Sequence, residues 1–278
     1  MKKILLRCLR TYPWLYWRLK LWNHEKTKKH ENELRLLPAL ANRDLDSIDI
    51  GASGGIYTLA LLPYSRRIIS FEPRTEGLRD LAEMTRVLKL PIQIEQVALS
   101  DREGNAELRM LVWDLGRSTI ATENSLIDAD GSPTQTILVK KKALDSYCLT
   151  KVGFIKIDVE GHEEAVLEGA TTTINKSRCN LLIEMEERHC QGVIKRVNEF
   201  LEARSYEGFF LDENEIIRTT RFTNSIHQNP ANIGGWKDNW RRKGKYINNF
   251  IFVPKDNKEN FLKKSKALGF NFRKEKIS

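Results

Sequence analysis

The stretch "SIDIGASGGIYTLALL", from Ser47 to Leu62, decides the fold. An apolar run ends in a glycine-rich turn and passes directly into a second apolar run, which is the pattern of a strand, a tight turn and a helix. Turns of this kind hold nucleotide-like ligands in α/β proteins, because backbone N–H groups and the start of a helix face the ligand. NAD, a phosphate donor and S-adenosylmethionine all suit such a turn, so the remaining sequence has to distinguish them.

Downstream of this turn, short β-rich runs alternate with helix-like runs. The predicted core strands are "LDSIDIG", "RRIISFEP", "IQIEQVALS", "VGFIKIDVEG" and "CNLLIEME", followed by late strands in "YEGFFLDENEII" and "YINNFIFVPK". The alternation predicts parallel strands joined by crossover helices, that is, a doubly wound α/β sheet. Two further β-like runs, "GNAELRMLVWD" and "TQTILVKKKALDSY", predict a hairpin-like insertion between the third and fourth strands.

The 278 residues suit one large domain with additions at its ends. The net charge of +9 favours acidic partners, and the basic excess is concentrated at the two ends of the chain. The four cysteines form no CxxC pair, which argues against a disulfide framework and a structural zinc site and favours reduced thiols in the cytoplasm. We predict a helical extension over residues 1–40, a main domain over 41–256 and a basic tail over 257–278.

Residues 1–22 mix Lys and Arg with Leu and with the rings of Trp14, Tyr16, Trp17 and Trp22. Charges interrupt every apolar run, so the segment is not a transmembrane span, and no small-residue cleavage site follows it. Two interpretations stay open. The segment contacts the inner membrane surface peripherally, or it forms short helices whose aromatic rings pack on the main domain.

The glycine spacing narrows the choice of ligand. Gly51, Gly54 and Gly55 stand as GxxGG rather than GxGxxG, and the chain has no GxxxxGK[ST] phosphate loop. "SFEP" ends the second strand with Glu72, whose carboxylate suits the two hydroxyls of a ribose. Asp49 repels a pyrophosphate and suits a sulfonium group. These features fit S-adenosylmethionine, although by themselves they leave a nicotinamide cofactor as an alternative.

Several motifs in this order resemble those of the FkbM-type S-adenosylmethionine-dependent methyltransferases. They are "IDIGASGGIYT", "SFEP", "VALSDREGNAEL", "ALDSY", "FIKIDVEGHEEAVLEGA" and "LLIEMEE", and they cover roughly Leu45 to Glu187. The resemblance implies the Rossmann-like class I methyltransferase fold, a mostly parallel seven-stranded sheet whose last strand is antiparallel. It also implies methylation of hydroxyl oxygens of sugars or of polyketide-type natural products.

The resemblance further implies a cofactor site. The loop around the methionine part of the cofactor would be Asp49, Gly51, Ser53 and Gly55, the ribose carboxylate Glu72, and the edge of the adenine pocket Val97 and Ala98. Ser53 departs from the family, which commonly has Asn at this position. Ser offers a hydroxyl but reaches less far, so the departure bears on cofactor affinity.

Methyl transfer to a hydroxyl needs a group that takes the proton, because a sugar hydroxyl is a very weak acid. The candidates are Asp158, Glu160, His162 and Glu184. We expect Asp158 to touch the reacting centre, since the carboxyl ends of central strands line the ligand crevice. For Glu160 and His162, fixing their own turn is the structural alternative. Asp158 with Glu184 also suits a divalent cation such as magnesium, but no metal site is predicted.

The stretch "NIGGWKDNWRRKGKY" combines Trp236 and Trp240 with Arg241, Arg242 and Lys243, a composition that suits a lid over a glycan. A solvated loop with two anchoring indoles is the alternative. We predict an O-methyltransferase acting on a sugar, glycan or related small metabolite, with nucleic acid disfavoured. The rival hypotheses are an NAD-dependent oxidoreductase and a non-catalytic glycan- or membrane-binding protein. The sequence gives no indication of the oligomeric state.

Overall fold

The computed structural model describes residues 12–27, 32–112, 117–124, 126, 133–233 and 243–273. Its strands are β1 Asp46–Ile50, β2 Arg67–Phe71, β3 Ile92–Glu95, β4 Ala98–Leu99, β5 Gly104–Leu111, β6 Ser118–Thr119, β7 Thr134–Lys142, β8 Val152–Ile157, β9 Asn180–Glu184, β10 Tyr206–Asp212, β11 Glu215–Arg218, β12 Asn249–Pro254 and β13 Asn271–Phe272. Its α-helices are α1 Pro13–Thr27, α2 Leu37–Leu40, α3 Ile56–Leu61, α4 Thr75–Leu88, α5 Glu163–Glu168, α6 Thr171–Ser177, α7 Val193–Glu202, α8 Asn224–His227 and α9 Lys258–Ala267.

The main sheet has the strand order β3-β2-β1-β8-β9-β12-β10-β11-β13. From β3 to β9 neighbouring strands are parallel, and β12 runs antiparallel to both β9 and β10. The first seven strands in this order are the class I methyltransferase sheet that the resemblance implied. Strands β11 and β13 extend the edge beyond β10, so the described part of the chain has nine strands in this sheet.

The run "YEGFFLDENEII" forms two strands instead of one. Strands β10 and β11 pair as an antiparallel hairpin, from Asp212↔Glu215 to Phe209↔Arg218. Glu213 in the turn adopts a φ of +56°, in the left-handed region that residues other than glycine seldom adopt. The turn is formed by the polar run from Asp212 to Glu215, which sequence analysis included in a single strand.

The predicted insertion is confirmed as an antiparallel pair. β5 pairs with β7 in continuous register from Gly104↔Lys141 to Leu111↔Thr134, and β4 and β6 complete a second sheet of the order β4-β7-β5-β6. Ala98, Leu108, Met110 and Val139 form its own small apolar cluster. The insertion therefore folds as a separate layer over the carboxyl end of the main sheet.

Both predicted end segments contribute to the domain. Leu36 and Leu37 are fully buried in the main core, so the boundary drawn at residue 40 divides a set of core residues. Phe261 in α9 and Phe270 before β13 are buried in the same cluster, and β13 pairs with β11. The segment from 258 to 273 is thus folded onto the sheet, because its two Phe side chains anchor an otherwise lysine-rich sequence.

Helix α1 packs against α4 through Tyr16 and Trp17, which are 6% and 2% exposed. This contact agrees with the second interpretation of the N-terminal aromatic residues, at least for these two rings. Within the described ranges, no helix is both long and apolar enough to span a bilayer. Of the predicted lid, Trp236, Trp240, Arg241 and Arg242 lie outside the described residues.

Candidate active site

The glycine turn between β1 and α3 is built around two left-handed backbone positions. Gly51 has a φ of +78° and Gly55, which precedes α3, has a φ of +83°. A Cβ atom on Gly51 would lie 1.8 Å from the backbone oxygen of Asp158, so only glycine fits there. Ser53 is also left-handed, with a φ of +43°. The turn is therefore pressed against the end of β8, where the predicted reactive carboxylate lies.

Glu72 lies at the end of β2, where sequence analysis placed the ribose carboxylate. It is 2% exposed, and its Oε2 accepts a hydrogen bond of 2.9 Å from the backbone N–H of Ser53. Its Oε1 accepts the backbone N–H of Arg74 at 3.0 Å and the Nε–H of the same residue at 2.8 Å. The structure thus joins the glycine turn and the acid in one buried network that also contains Arg74.

A cavity of about 70 Å³ runs from the glycine turn along the end of β2. Its lining includes Gly51, Ser53, Glu72, Val97 and Ala98, five of the seven predicted cofactor residues. Its apolar wall near Val97 and Ala98 continues with Leu99 and Leu108. The predicted cofactor residues therefore come together, with a polar side and an apolar side that suit a nucleoside.

The insertion supplies one wall that sequence reasoning missed. Ser118, Thr119 and Ile120 line the cavity, and the Thr119 hydroxyl donates to the backbone oxygen of Val159 after β8. No periodicity or motif identifies these residues, because their position depends on how the second sheet folds back. The side chain of Asn124 reinforces the contact by donating to the backbone oxygen of Glu160 at 2.7 Å.

A second group of acids lies at the ends of β8 and β9. Asp158 lines the first cavity and also a neighbouring one of about 110 Å³, which Asp49 and Glu184 share. Glu184 in turn lines a third cavity of about 430 Å³. Asp49, Asp158 and Glu184 are thus brought together on one side of the glycine turn.

Burial raises the pKa of several of these carboxyl groups. The pKa of Asp49 is raised to about 6, although the Thr58 hydroxyl donates to it at 2.5 Å. The pKa of Glu163 in α5 is raised to about 7 by burial. Burial, followed by the nearby charge of Asp158, also raises the pKa values of Glu160 and Glu184 well above the usual range. A raised pKa makes a carboxylate a stronger proton acceptor.

Lys156 is the buried cation nearest to this group, and sequence analysis did not select it. Its side chain is fully buried on β8, and its Nζ donates to Oδ1 of Asn249 at 2.9 Å. Nζ also lies 3.6 Å from Oε2 of Glu184 and 4.9 Å from the ring centre of Tyr57. A lysine inside an apolar strand is the signal that would have identified it, because such a charge needs a buried partner.

Glu160, Glu186 and His189 offer three donor atoms within 4.8 Å of one another. His189 Nδ1 lies 3.1 Å from Glu160, whose left-handed backbone fixes the turn after β8. Arg188 donates to both oxygens of Glu186, and the Tyr246 hydroxyl adds a further short contact. Because Glu186 is already neutralised by Arg188, the arrangement fits an ion-pair network better than a divalent cation site.

His162 lines the first cavity, together with Asp158 and with residues of the insertion. The Ser100 hydroxyl donates to Asp101 at 2.8 Å, so the Nε2–H of His162 donates to that hydroxyl over 3.0 Å. Burial lowers the pKa of His162 to about 4, which keeps the ring neutral near pH 7. The His162 ring therefore bonds to Ser100, 62 residues away, and within the described residues it makes no cap hydrogen bond to its own turn.

Comparison with known families gives one match, to the methyltransferase FkbM domain, over residues 49–208. The match spans more than half of the chain and includes both the glycine turn and the acids after β8 and β9. The chain belongs to the FkbM methyltransferase family. Membership of this family implies methyl transfer from S-adenosylmethionine, and it argues against an NAD-dependent oxidoreductase. No curated protein matches this FkbM-family chain in sequence.

Solved structures similar to this FkbM-family chain share little sequence with it. A methyltransferase FkbM from Methylobacillus flagellatus is 14% identical, with a TM-score of 0.48, and the match covers 76% of this chain and 44% of that one. An rRNA methylase from Streptococcus thermophilus is 11% identical, with a TM-score of 0.46 and coverages of 80% and 93%. A putative methyltransferase from Streptococcus mutans, in complex with SAH, is 9% identical, with a TM-score of 0.45 and coverages of 80% and 94%. This chain therefore spans less than half the length of the first of these proteins.

Proposed function

We propose that this chain is an S-adenosylmethionine-dependent O-methyltransferase whose acceptor is a hydroxyl of a sugar, a glycan or a related small metabolite. Family membership supports the methyl donor. The acceptor class is supported by a single feature of the site, the polar lining of the outermost of three cavities in a series that begins at the cofactor turn. Asp158 lines the first two cavities in this series and Glu184 the last two.

The outermost cavity, of about 430 Å³, is large enough for a sugar-sized molecule. Its polar lining consists of Asn32, Glu33, Glu184, Asp212, Glu213, Lys245, Tyr246, Asn248 and Asn249. Carboxylates and amides of this kind exchange hydrogen bonds with several hydroxyl groups at once. A polyhydroxylated acceptor therefore suits the cavity.

The charge of this lining disfavours a phosphate-rich acceptor. It contains four carboxylates, those of Glu33, Glu184, Asp212 and Glu213, and one lysine among its described residues. That lysine, Lys245, is paired with Asp212 at 2.6 Å. This outermost cavity is therefore acidic although the chain carries a net charge of +9, and it would repel nucleic acid where the proposed acceptor binds.

In the proposed reaction the acceptor oxygen attacks the methyl carbon of the sulfonium in line with the departing sulfur. A C–O bond forms, the S–CH₃ bond breaks, S-adenosylhomocysteine leaves, and the hydroxyl proton passes to a carboxylate. We assign Asp158 to the reacting centre because it lies between the first two cavities. Glu184 is assigned as the proton acceptor because its raised pKa matches that task.

The test is calorimetric titration with S-adenosylmethionine, S-adenosylhomocysteine and NAD, repeated on Glu72→Ala. We expect both S-adenosyl compounds to bind, NAD not to bind, and the variant to lose binding. Release of S-adenosylhomocysteine is then measured with neutral sugars, amino sugars, sugar phosphates and RNA as acceptors. Turnover with RNA alone would contradict the proposed acceptor. Cofactor binding without turnover on any acceptor would favour the non-catalytic hypothesis.

We also propose that α1 contacts the inner membrane surface, with the catalytic domain in the cytoplasm. Tyr12, Leu15, Leu19 and Trp22 are spaced by three and four residues, which places them along one face of the helix, and they are 38% to 69% exposed. Tyr16 and Trp17 are buried against the domain. Four of the first ten residues are basic. An apolar stripe beside positive charge is typical of a helix that lies in an anionic interface.

Flotation with vesicles of anionic and of zwitterionic phosphatidyl lipids tests this contact. We expect the wild type to float with anionic vesicles. A triple variant with Leu15→Gln, Leu19→Gln and Trp22→Gln should remain in the protein fraction that does not float. A matched control replaces two exposed apolar residues elsewhere, Leu138→Gln and Ile226→Gln, which are 72% and 60% exposed. If the variant and the control float equally, the membrane proposal is wrong.

A further inference from the structure

The carboxylate of Glu72 is saturated with hydrogen-bond donors. Its Oε1 accepts the backbone N–H and the Nε–H of Arg74, at 3.0 and 2.8 Å. Its Oε2 accepts the backbone N–H of Ser53 at 2.9 Å and Nη2–H of Arg74 at 3.2 Å. A carboxylate offers about four acceptor positions in all, so these four bonds use its whole capacity.

A ribose bound at Glu72 needs two of these positions for its hydroxyls. The two backbone N–H donors are fixed in position. The N–H of Ser53 belongs to the glycine turn, and the N–H of Arg74 belongs to the residue that immediately precedes α4. Only the two guanidinium bonds are made by a side chain that can rotate away. The competitor of the ribose is therefore the Arg74 side chain.

The size of the cavity leads to the same residue independently. At about 70 Å³, the cavity along Glu72 is far smaller than the roughly 300 Å³ or more of a typical nucleotide-sized pocket. Arg74 is 3% exposed and forms part of the cavity wall together with Glu72 and Ser53. Its side-chain hydrogen bonds are to these two residues, Nη2 reaching the Ser53 hydroxyl at 3.2 Å. Moving this side chain would free both volume and acceptors without breaking the sheet.

We propose that the Arg74 guanidinium competes with the cofactor ribose for Glu72, so that displacing Arg74 limits cofactor affinity. This inference rests on the proposed use of an S-adenosyl cofactor. It predicts the sign of a substitution. Removing the guanidinium frees two acceptor positions and leaves a buried carboxylate that the ribose hydroxyls can satisfy, and both effects strengthen binding.

The experiment is calorimetric titration of S-adenosylhomocysteine into the wild type, Arg74→Met and Arg79→Met. Met keeps the aliphatic volume and offers no donor, while Arg79, exposed on the same helix, controls for the loss of one charge. We expect Kd to fall on the order of tenfold in Arg74→Met and to stay unchanged in Arg79→Met. Arg74→Lys keeps the charge but makes fewer hydrogen bonds, so we expect its Kd to lie between those of the wild type and Arg74→Met. It replaces Arg74→Met in the test if that variant fails to fold.

Weaker binding by Arg74→Met would show that the guanidinium contacts the cofactor, and it would overturn the inference. Equal binding by the wild type and the variant would overturn it as well, while leaving the proposed function intact. If S-adenosylhomocysteine and S-adenosylmethionine bind none of these proteins, the proposed function fails and the inference fails with it. Circular dichroism melting of each variant separates these results from a loss of folding.

Discussion

The cleft has two groups of carboxylates, and they differ in how their charge is compensated. Glu72, at the end of β2, receives four N–H donors and forms a buried ion pair with Arg74. Glu184, at the end of β9, has Lys156 as a nearby positive charge, as do Asp49 and Glu163, and the charge of Asp158 raises the pKa of all three. The first group is saturated with N–H donors, and in the second group one buried lysine faces several carboxyl groups.

Under the proposed function, this difference separates binding from chemistry. The two backbone N–H donors hold the Glu72 carboxylate in one geometry, which would suit recognition of a ribose once the Arg74 side chain is displaced. Carboxylates crowded together with little compensation have raised pKa values, which suits the transfer of a proton. The glycine turn lies between the two groups and contacts both, through Ser53 on one side and Gly51 on the other.

The largest expected effect comes from breaking this junction with Gly51→Ala. The new Cβ would overlap the backbone oxygen of Asp158, and the residue would have to keep a φ of +78°. We expect the free energy of unfolding to fall by on the order of 4 kcal/mol and S-adenosylhomocysteine binding to be lost. Gly54→Ala is the control, because a Cβ there meets nothing within 4 Å. Equal chemical denaturation curves for the two variants would refute the close contact.

The second prediction concerns Lys156→Met, which removes the buried lysine from the second group of carboxylates. We expect a loss of about 3 kcal/mol at pH 8, because nearby acids then lose their partner. The loss should be smaller at pH 5.5, where the Glu163 carboxyl, with a pKa of about 7, is protonated. Urea unfolding at both pH values measures the loss in the free energy of unfolding, and Lys195→Met serves as an exposed control. A loss that is independent of pH would mean that Lys156 acts by packing alone.

The sequence predicted the core sheet because each strand is a short apolar run with a clear boundary. Glycine spacing and the acid after β2 also identified a turn and a carboxylate that lie in contact, since both features depend on residues close together in the chain. The C-terminal segment was misjudged because two anchoring residues, Phe261 and Phe270, are spread over a run of lysines. Average composition conceals such anchors, although two side chains suffice to hold the segment.

The sequence did not predict contacts between distant parts of the chain. It also did not predict contacts that depend on a side-chain rotamer. Thr119 reaches the cavity only because the insertion folds back over β8. Arg74 lies two residues after Glu72, and sequence gives no sign that its guanidinium turns back onto the acid. The sequence therefore indicated which groups the cleft contains, but not which of them compensate one another.

The third prediction uses Glu163, whose carboxyl pKa of about 7 lies well above the roughly 4.3 of an unfolded Glu. The folded state binds this proton more tightly, so this group's contribution to stability is present at low pH and is lost as pH rises towards 7. Its Oε2 has no hydrogen-bond partner among the described residues, while Oε1 accepts the N–H of Gly161. The side-chain oxygen of a Gln at this position can still accept the N–H of Gly161.

We therefore expect Glu163→Gln to stabilise the protein by about 2 kcal/mol at pH 8 and to have little effect near pH 5. Chemical denaturation at the two pH values gives the difference directly. Glu168→Gln, exposed on the same helix, should show no such dependence. A destabilised Glu163→Gln at pH 8 would mean that the carboxylate is compensated after all, and the contrast with Glu72 would disappear.

The smallest expected effect is at Ser53, on the saturated side. Its φ of +43° lies in the left-handed region, which Asn tolerates better than Ser does. We expect Ser53→Asn to raise the free energy of unfolding by about 0.5 kcal/mol, and Ser53→Ala to lower it by a similar amount. Because the N–H of Ser53 holds Glu72 in place, the Asn variant should also bind S-adenosylhomocysteine at least as tightly as the wild type. Weaker binding with unchanged stability would show that the Ser53 hydroxyl, and not its backbone, is what the cofactor site requires.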